Sequence, residues 1–268
     1  MHTREVSMIG STGSISAGMA SLYGTNMRQL YDAMEKLASG KKFKNASEDL
    51  IGYLRAQNTQ SDITQYEQTR ENLTNFKAST SAAVVAGSSI YENLTEMKDL
   101  ATQWAGTADA DLKAQYAAEF NALKTEVSTT LANTYVDGVL LTDPGDATDA
   151  TVSLGPDGGS LTLTFSDAAD VSSLDITAGT AVADTQAEVS AAMTYMYEAK
   201  SYDAITDQQI KLNDTIVNSK KAVLSLITDI DEAEQMDKVL SLTLRQQATT
   251  AMMAQANIVQ NSLSKLYE

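Results

Sequence analysis

The sequence predicts a mainly α-helical protein, with long coiled-coil-like helices from both termini and a small β-hairpin region between them. Residues 185–268 contain neither glycine nor proline, over a length in which a globular domain normally holds several helix breakers. Apolar residues recur there in steps of three and four, which is the spacing of one helix face. In contrast, both prolines and six of the 14 glycines fall between residues 135 and 179. These observations place helices on either side of one non-helical excursion.

The first helix is predicted to begin near residues 17–19 and to end at Ser39–Gly40. Residues 1–18 are expected to be irregular, because three glycines stand there among small polar residues. The helix carries an apolar stripe with the periodicity of one face. The stripe consists of Tyr23, Met27, Leu30, Met34 and Leu37.

A second helix is predicted from Ser47, which is a suitable N-cap, to about Ala105. Glu48 and Asp49 would lie in its first turn, where the helix dipole favours negative charge. Gly87 is a flaw inside this helix, with a cost of about 1 kcal/mol relative to alanine. The apolar positions at helical spacing are Ile63, Tyr66, Leu73, Val84, Tyr91 and Leu94.

A third helix is predicted to follow the turn at Gly106–Asp109, with Asp109 or Asp111 as its cap. Its pattern breaks at residues 133–137. The predicted buried face is Leu112, Tyr116, Phe120, Leu123, Val127 and Leu131.

Within the excursion, residues 156–159 predict a hairpin turn that joins strands at Thr151–Leu154 and Ser160–Phe165. Four acidic residues in and near this hairpin suggest calcium, but their spacing fits no EF-hand loop. They are interpreted as a solvated acidic loop. The four are Asp143, Asp146, Asp149 and Asp157.

The last segment is predicted to be one very long helix that begins at Thr185, which forms a capping box with Glu188. Even most of this segment as helix would span about 100 Å, so we expect it to need partners. Two neighbouring apolar rows are Ile205, Leu212 and Leu226, and Ile216, Val223 and Ile230. A third row continues through Met236, Leu240, Leu244, Ala248, Ala251, Gln255, Val259, Ser262 and Leu266.

Composition excludes several classes of function. The net charge of −16 argues against nucleic-acid binding, which needs clustered basic residues. The chain has no cysteine, and His2 is its one histidine, so neither thiolate nor histidine chemistry is expected. No catalytic constellation and no cofactor are predicted. Aromatic and methionine residues near Tyr195 are interpreted as packing rather than a cofactor site.

Two uncharged stretches, Val6–Met27 and Gln246–Ser264, occupy corresponding places near the two ends. The second holds six Gln and Asn residues, which make membrane insertion costly. The first lacks the apolar run of a signal peptide. We expect the two ends to lie side by side as an antiparallel pair that orders on assembly. Periodicity alone would fit any coiled-coil or bundle protein.

Short motifs near both ends are more specific, and they resemble bacterial flagellin. Leu37–Lys42 followed by Asn45–Asp49 is similar to the family's N-terminal signature. Asn93–Ala101 is similar to its Asn-Leu-x-x-x-Arg-Glu-Leu-Ala segment. Leu244–Ala248 and Ala254–Asn257 match its C-terminal Leu-x-Gln-Gln-Ala and Ala-Gln-Ala-Asn motifs. Asp137-Gly138-Val139 resembles the family's Asn-Gly-Val. The resemblance spans roughly residues 19–140 and 185–268. Phe43 and the ending Leu263–Tyr267 depart from the family pattern.

The resemblance implies a minimal flagellin with three regions. Residues 1–44 plus 229–268 would form an inner-tube helical pair (D0), and residues 45–134 plus 185–228 a helical core bundle (D1). Residues 135–184 would be a small hairpin and loop region of D1 that faces outward. The implied core residues are Leu73, Tyr91, Leu94, Leu100, Phe120, Leu123, Ile216 and Val223.

The implied function is that of a structural, non-enzymatic subunit of the extracellular bacterial flagellar filament. Implied partners are other copies of the chain, the flagellar export apparatus, a flagellin chaperone, and junction and cap proteins, with neither nucleic acid nor membrane. The implied self-assembly residues of the inner-tube helices are Tyr23, Met27, Leu30, Met34, Leu37, Leu244, Gln247, Ala248, Met252, Gln255, Asn257, Val259, Leu263 and Leu266.

The resemblance also implies a candidate host-receptor region. Flagellins detected by the vertebrate Toll-like flagellin receptor carry a basic residue where this chain has Glu96. The other matching positions are Lys98, Leu100 and Glu119. Because a carboxylate there reverses the local charge, we expect poor recognition.

Two alternatives stay open at this point. One is a flagellin-like protein of the hook–filament junction, which would be similar at both ends. The other is a soluble coiled-coil adaptor, which should have stable termini as a monomer.

Overall fold

The computed structural model describes residues 2–143, 150–156 and 158–266, without the side chains of residues 2–16, 260, 261 and 263–266. The described helices are α1 (His2–Ser39), α2 (Leu50–Gly106), α3 (Ala110–Asn133), α4 (Ala181–Thr228) and α5 (Glu232–Leu266). The described strands are β1 (Tyr135–Val136), β2 (Val139–Leu140), β3 (Thr151–Ser153) and β4 (Ser160–Thr162). The predicted mainly α-helical class with a small hairpin region is confirmed.

Helix α1 begins at His2, so the prediction that residues 1–18 are irregular was wrong. Each glycine weakens a helix by about 1 kcal/mol without forbidding it, and the segment contains no proline. The predicted end is confirmed. Gly40 adopts a φ of 68°, a left-handed conformation that glycine takes readily at a helix C-terminus, and its amide donates to the Lys36 carbonyl at 2.9 Å.

Helix α2 begins two residues later than predicted, and Asp49 rather than Ser47 lies at its N-terminus. The Gly52 amide donates to Asp49 Oδ1 at 2.9 Å, which is the bond of an N-cap. The Ser47 hydroxyl instead donates to Asn45 Oδ1 at 2.6 Å, because Ser47 still belongs to the turn that follows α1. The end at Gly106 agrees with the prediction.

Helix α3 has the predicted cap, since Asp109 Oδ1 accepts from the amides of Asp111 and Leu112 at 2.9 and 3.2 Å. Within the predicted buried face, Phe120 and Val127 are buried. Leu112 was assigned wrongly, because 39% of its surface is exposed in the first turn of the helix. The half-buried members of that face are Tyr116, Leu123 and Leu131.

The hairpin region contains two small antiparallel pairs. Strands β1 and β2 are joined by Asp137 and Gly138, which have φ values of 52° and 84°, as a two-residue hairpin turn requires. Strands β3 and β4 pair as predicted, with Val152 opposite Leu161, but they are shorter than predicted. Leu163 and Phe165 lie beyond β4, and both are buried. Asp146, Asp149 and Asp157 lie outside the described residues.

The last segment differs from the prediction at both ends of α4. The helix begins at Ala181, one turn before the predicted start. Thr185 therefore lies inside it and donates to the Ala181 carbonyl at 2.7 Å, while Glu188 accepts from the Asp170 amide at 2.7 Å. The predicted capping box was wrong. The predicted single helix is also interrupted, because residues 229–231 separate α4 from α5.

The chain forms two compact units, Met1–Thr59 with Ala222–Glu268 and Gln60–Lys221, called here the terminal unit and the central unit. The domain boundaries implied by the resemblance, after residues 44 and 228, stay a prediction. The hydrophobic core of α2, α3, α4 and the hairpin region lies in the central unit.

Gly87 is a packing position in this core rather than a flaw. A β-carbon at residue 87 would lie 2.9 Å from Tyr195 Cδ1 and 3.2 Å from Met196 Cα. Tyr195 is fully buried, and its hydroxyl donates to the Leu141 carbonyl at 3.0 Å. Burial raises the pKa of this hydroxyl. The absence of a side chain at Gly87 thus lets α4 approach α2 closely enough to bury a tyrosine.

A ladder of polar pairs follows the α2–α4 contact. In the N-terminal part of α2, acidic side chains of α2 pair with basic side chains of α4. Farther along α2, basic side chains of α2 pair with acidic side chains of α4. Each of these partly exposed pairs contributes about 0–1 kcal/mol, but the reversal of sign favours one antiparallel register. The pairs are Asp62–Lys220 and Glu67–Lys221, both at 2.7 Å, then Arg70–Asp214 at 3.2 Å and Lys77–Asp207.

Candidate functional site

Helices α1 and α5 form an antiparallel pair, called here the terminal helical pair. Gln246 Nε2 donates to Tyr23 Oη at 3.3 Å and also contacts Met27 Sδ. At the other end of the pair, Gln235 Nε2 donates to the Ala33 carbonyl at 3.0 Å. The sequence-based expectation that the two ends lie side by side therefore agrees with this geometry.

The face of α1 that meets α5 is the predicted apolar stripe, with Ala33 and Asn26 in addition. Ala33 and Asn26 are buried. Met34 differs from the rest of the predicted stripe, because it lies on the exposed flank of the helix. The half-buried members of the stripe are Tyr23, Met27, Leu30 and Leu37.

The face of α5 that meets α1 is a mixed seam that the sequence-based rows did not contain. Leu242 and Thr249 are buried, and they lie seven residues apart, as positions on one face of paired helices do. The seam was detectable as a second three-four row beside the apolar one, but Gln and Thr gave it a weak signal. Its half-buried members are Gln235, Val239, Gln246, Met253 and Ala256.

The predicted apolar row of α5 faces away from α1. Leu244 is 65% exposed, and a step of 100° per residue places its row opposite the seam. The exposed members among the predicted assembly residues are Leu244, Gln247, Ala248, Met252, Gln255, Asn257 and Val259. The side chains of Leu263 and Leu266 lie outside the described residues. Further exposed apolar side chains of the pair are Leu22, Tyr31, Met236, Leu240 and Ile258.

Among the residues that the structure describes, this arrangement leaves a long apolar row exposed. A soluble monomer rarely exposes a large contiguous apolar surface, and such surfaces mark interaction sites. The row also continues in register along α5, so it can contact another helix over its length. We call Met236, Leu240, Leu244 and the exposed apolar side chains that follow them on α5 the outer row.

The turn after α1 binds the segment between α4 and α5. Lys41 Nζ forms an ion pair with Asp229 Oδ1 at 2.6 Å. The Lys41 ammonium, together with the hydroxyls of Ser225 and Thr228, holds the pKa of Asp229 well below its usual range. The carboxylate is therefore charged at neutral pH and binds the turn electrostatically.

The predicted core residues are largely inside the central unit. Leu73, Leu94 and Phe120 are buried, and Tyr91, Leu123 and Ile216 are half-buried. Val223 was assigned wrongly, because it is 46% exposed. It lies outside the central unit, which ends at Lys221 in α4.

The candidate receptor region is only partly at the surface. Glu96 and Glu119 are exposed, while Lys98 is half-buried and donates to Gln186 Oε1 at 3.1 Å. Leu100 is only 6% exposed and belongs to the core, so it is not available as a surface contact. The assignment of Leu100 to such a region is therefore corrected, and the role of the other three stays a prediction.

Over the residues described, no helix combines the length and hydropathy needed to cross a membrane. The same part of the chain holds no group of three or more His, Cys, Asp or Glu side chains arranged to bind a metal ion. An open groove beside the ladder is lined by Glu67, Arg70, Asp214 and Lys221, but these charges already pair with one another.

Comparison with known proteins gives a family for the N-terminal half. Residues 11–143 match the bacterial flagellin N-terminal helical region, which covers most of α1, all of α2 and α3, and the first hairpin. The C-terminal motifs lie outside this match. No curated protein matches the chain significantly.

Solved structures similar to this chain include two flagellar proteins. Bacillus cereus flagellin is 22% identical, with a TM-score of 0.42 over 56% of this chain and 88% of that one. A putative flagellar hook-associated protein from Vibrio parahaemolyticus is 13% identical, with a TM-score of 0.48 over 72% of this chain and 100% of that one. The match over residues 11–143 contains the motifs Leu37–Lys42 and Asn93–Ala101. Because of this match, the chain belongs to the bacterial flagellin family.

Proposed function

We propose that this chain is a structural subunit that polymerises into the helical filament of the bacterial flagellum. The observation that carries the proposal is the outer row on α5, which is exposed although α5 is paired with α1. A contact that joins two different surfaces and repeats from copy to copy produces an open helical polymer when the rotation does not close. The outer row is one such surface, and its partner is another copy of the chain.

Burial of the outer row would stabilise the polymer. Full burial of a Leu, Ile or Met side chain contributes about 1.5–3 kcal/mol, and Leu240, Leu244 and Ile258 each expose more than half of their surface. Each would therefore add about 1 kcal/mol or more on burial. A contact of several such side chains, repeated from copy to copy, offsets part of the entropy cost of association.

The charge of the chain indicates how assembly depends on salt. Copies that each carry −16 repel one another, and this repulsion is screened over about 10 Å at 0.1 M ionic strength. We expect polymerisation to accelerate as NaCl is raised from low concentration, because the apolar contact persists while the repulsion weakens. Light scattering of the purified chain measures this, and faster assembly at low salt would indicate that ion pairs rather than apolar contacts join the copies.

The family supports further roles that remain proposals. The filament lies outside the cell, and its subunits reach it through the flagellar export apparatus with a cytoplasmic chaperone bound. Junction and cap proteins contact the two ends of the filament. The subunit has no enzymatic role in this scheme, since assembly alone accounts for its function.

Electron microscopy of the purified chain tests the proposal. Wild type is expected to form long filaments, whereas a hook–filament junction protein or a soluble adaptor would not. Leu244→Asp places a charge in the outer row and is expected to abolish filaments without loss of helical content in circular dichroism. Val85→Asp changes an exposed valine of the central unit in the same way and serves as the matched control. Filaments from Leu244→Asp at wild-type yield would exclude the outer row as the contact.

A further inference from the structure

The interruption between α4 and α5 is not caused by a glycine or a proline. Residues 229–231 separate the two helices, yet no glycine or proline occurs anywhere from residue 185 onward. Helix breaks normally occur at such residues. Contacts with another part of the chain coincide with the break.

Those contacts come from Gly40–Lys42, called here the strap. The Lys42 amide donates to the Thr228 carbonyl at 2.7 Å, and the Ile230 amide donates to the Gly40 carbonyl at 3.1 Å. Lys42 Nζ donates to the Leu226 carbonyl at 2.8 Å. An isolated antiparallel bridge between Lys41 and Asp229 lies at the centre of these bonds.

The bonded backbone groups are the ones that would close a continuous helix. In an α-helix each amide donates to the carbonyl four residues earlier, so Ile230 would donate to Leu226 and Glu232 to Thr228. In the structure, the strap binds the Leu226 and Thr228 carbonyls and accepts from the Ile230 amide. The strap therefore replaces the helical partners of three groups.

The interrupted state also has its own caps. Asp231 Oδ1 accepts from the amides of Ala233 and Glu234 at 3.0 and 3.1 Å, which is the pattern of an N-cap. Asp229 accepts from Lys41 Nζ, Ser225 Oγ and Thr228 Oγ1. Both the interrupted and the continuous arrangement can thus satisfy their backbone groups, which is the condition for two alternative states.

We propose that the strap is a conformational switch: bound, it holds α4 and α5 apart at residues 229–231, and released, it lets them join as one continuous helix. The interrupted state is the one in which α5 presents its seam to α1. The switch is a property of the chain before assembly and does not depend on polymerisation. It lies away from the uncharged terminal stretches that are expected to order on assembly.

A released variant and a locked variant separate the two states. Lys41→Ala with Lys42→Pro removes the ion pair, the ammonium donor and the Lys42 amide, while residue 41 keeps the extended backbone that precedes proline. Glu232→Pro locks the interruption. Residue 232 is the first residue of α5, where proline is favoured, but in a continuous helix its ring would clash with the Thr228 carbonyl.

The test is nuclear magnetic resonance of the isotope-labelled full-length chain in its unassembled state. In wild type, the ¹³Cα shifts of residues 229–231 are expected to be non-helical and the Lys42 amide protected from exchange. In the released variant, these three residues are expected to take helical shifts. Adding Glu232→Pro to the released variant should return them to non-helical values, and Glu232→Pro alone should leave the wild-type shifts unchanged.

A distance between two spin labels tests the same proposal independently. The chain has no cysteine, so Ala222→Cys and Ser241→Cys, both exposed, accept spin labels specifically. A continuous helix puts these positions about 28 Å apart along its axis, and the released variant should show a narrow distribution at that separation that the locked variant lacks.

Three results would overturn the switch. One is an unprotected Lys42 amide in wild type, which would mean that the strap is not bound in the isolated chain. The second is a released variant that keeps the interruption, which would mean that the break is intrinsic. The third is a released variant in which α5 becomes coil instead of joining α4, which would make the strap a simple brace. Fluorescence of Trp104 in the central unit verifies in each case that the rest of the chain remains folded.

Discussion

The two compact units of this chain bury their apolar residues to very different extents. In the terminal unit, the buried apolar side chains among the described residues are Ala33, Phe43 and Leu242. The central unit buries large side chains throughout α2, α3, α4 and the hairpin region, with Tyr195, Phe120 and Leu163 almost fully enclosed. Most of the exposed large apolar residues lie in the terminal unit. The central unit therefore encloses its large apolar side chains, whereas the terminal unit leaves most of its own exposed.

The difference follows from the number of layers available to each unit. Two paired helices can bury one stripe each and leave their other faces in solvent. Three helices and a hairpin region enclose a volume, so side chains such as Phe165, Tyr195 and Tyr202 stack from several directions, with ring centroids 5.0 and 5.4 Å apart.

The largest effect is expected from removal of residues 259–268. This change shortens the terminal helical pair and its outer row, so filament formation should be abolished. The central unit should keep its unfolding temperature, followed through Trp104 fluorescence. Normal filaments from the shortened chain would show that the terminal helical pair is not the assembly surface.

Proteolysis should distinguish the two units in the unassembled chain. A protease that cleaves at apolar residues is expected to cut Val6–Met27 and Gln246–Ser264 at least ten times faster than the central unit, since local opening depends on the apolar surface that holds a segment. The fragments can be identified by mass spectrometry. The same stretches should become resistant in filaments, and equal rates in both states would contradict the proposed role of the pair.

Replacement of glycine by alanine should destabilise the central unit but stabilise helix α1 of the terminal unit. Gly87→Ala puts a methyl group 2.9 Å from Tyr195 Cδ1, and such overpacking is expected to destabilise the central unit by about 1–3 kcal/mol. Gly24→Ala in α1 meets no atom within 4 Å and should favour helix by up to about 1 kcal/mol.

Thermal unfolding by circular dichroism and Trp104 fluorescence compares these two variants. The fluorescence transition should move to lower temperature for Gly87→Ala and stay unchanged for Gly24→Ala. Equal transitions in the two variants would mean that Tyr195 does not pack against α2 as described.

The smallest effect concerns the ion pair between Lys41 and Asp229. The folded-state pKa of Asp229 lies below its ordinary value, so its contribution to stability is complete above about pH 3.9. That contribution is lost as the pH falls through the folded-state pKa. In Lys41→Ala the pKa should rise toward the ordinary value while remaining below it, because the Ser225 and Thr228 hydroxyls still donate.

A ¹³C titration of the Asp229 carboxyl carbon measures this change. Lys36→Ala removes a different ion pair, that with Asp32 at 3.3 Å, and should leave the Asp229 titration unchanged. An Asp229 pKa that does not move in Lys41→Ala would show that the hydroxyls, rather than the ammonium, stabilise the carboxylate.

Local sequence signals predicted the elements whose causes are local. The Gly40 end of α1, the Asp109 cap of α3 and the hairpin from Thr151 onward depend on backbone conformations and side-chain caps within a few residues, so they could be identified directly. The family could also be identified from the short motifs near the N-terminus, which the match over residues 11–143 contains. The three-four spacing predicted the stripe of α1 that meets α5 and the row of α5 that could join other copies.

The remaining features depend on contacts that are distant in sequence. Gly87 was interpreted as a flaw because the reason for a glycine there is the close packing of Tyr195, which lies more than a hundred residues later in the chain. The irregular N-terminus was predicted from three glycines whose helix cost proved insufficient to prevent a helix. Val223 could not be assigned to surface or core from periodicity alone, because periodicity gives a face without saying what covers it. Leu100 was placed correctly in the core and wrongly in the candidate receptor region.

The interruption at residues 229–231 shows this division most clearly. The segment contains no glycine or proline, and the three-four spacing therefore predicted one helix from Thr185 onward. The tertiary structure decided otherwise, because the strap supplies partners for the Leu226 and Thr228 carbonyls and for the Ile230 amide. A sequence determines which backbone groups can bond within a helix, and only the folded chain determines whether a competing partner reaches them.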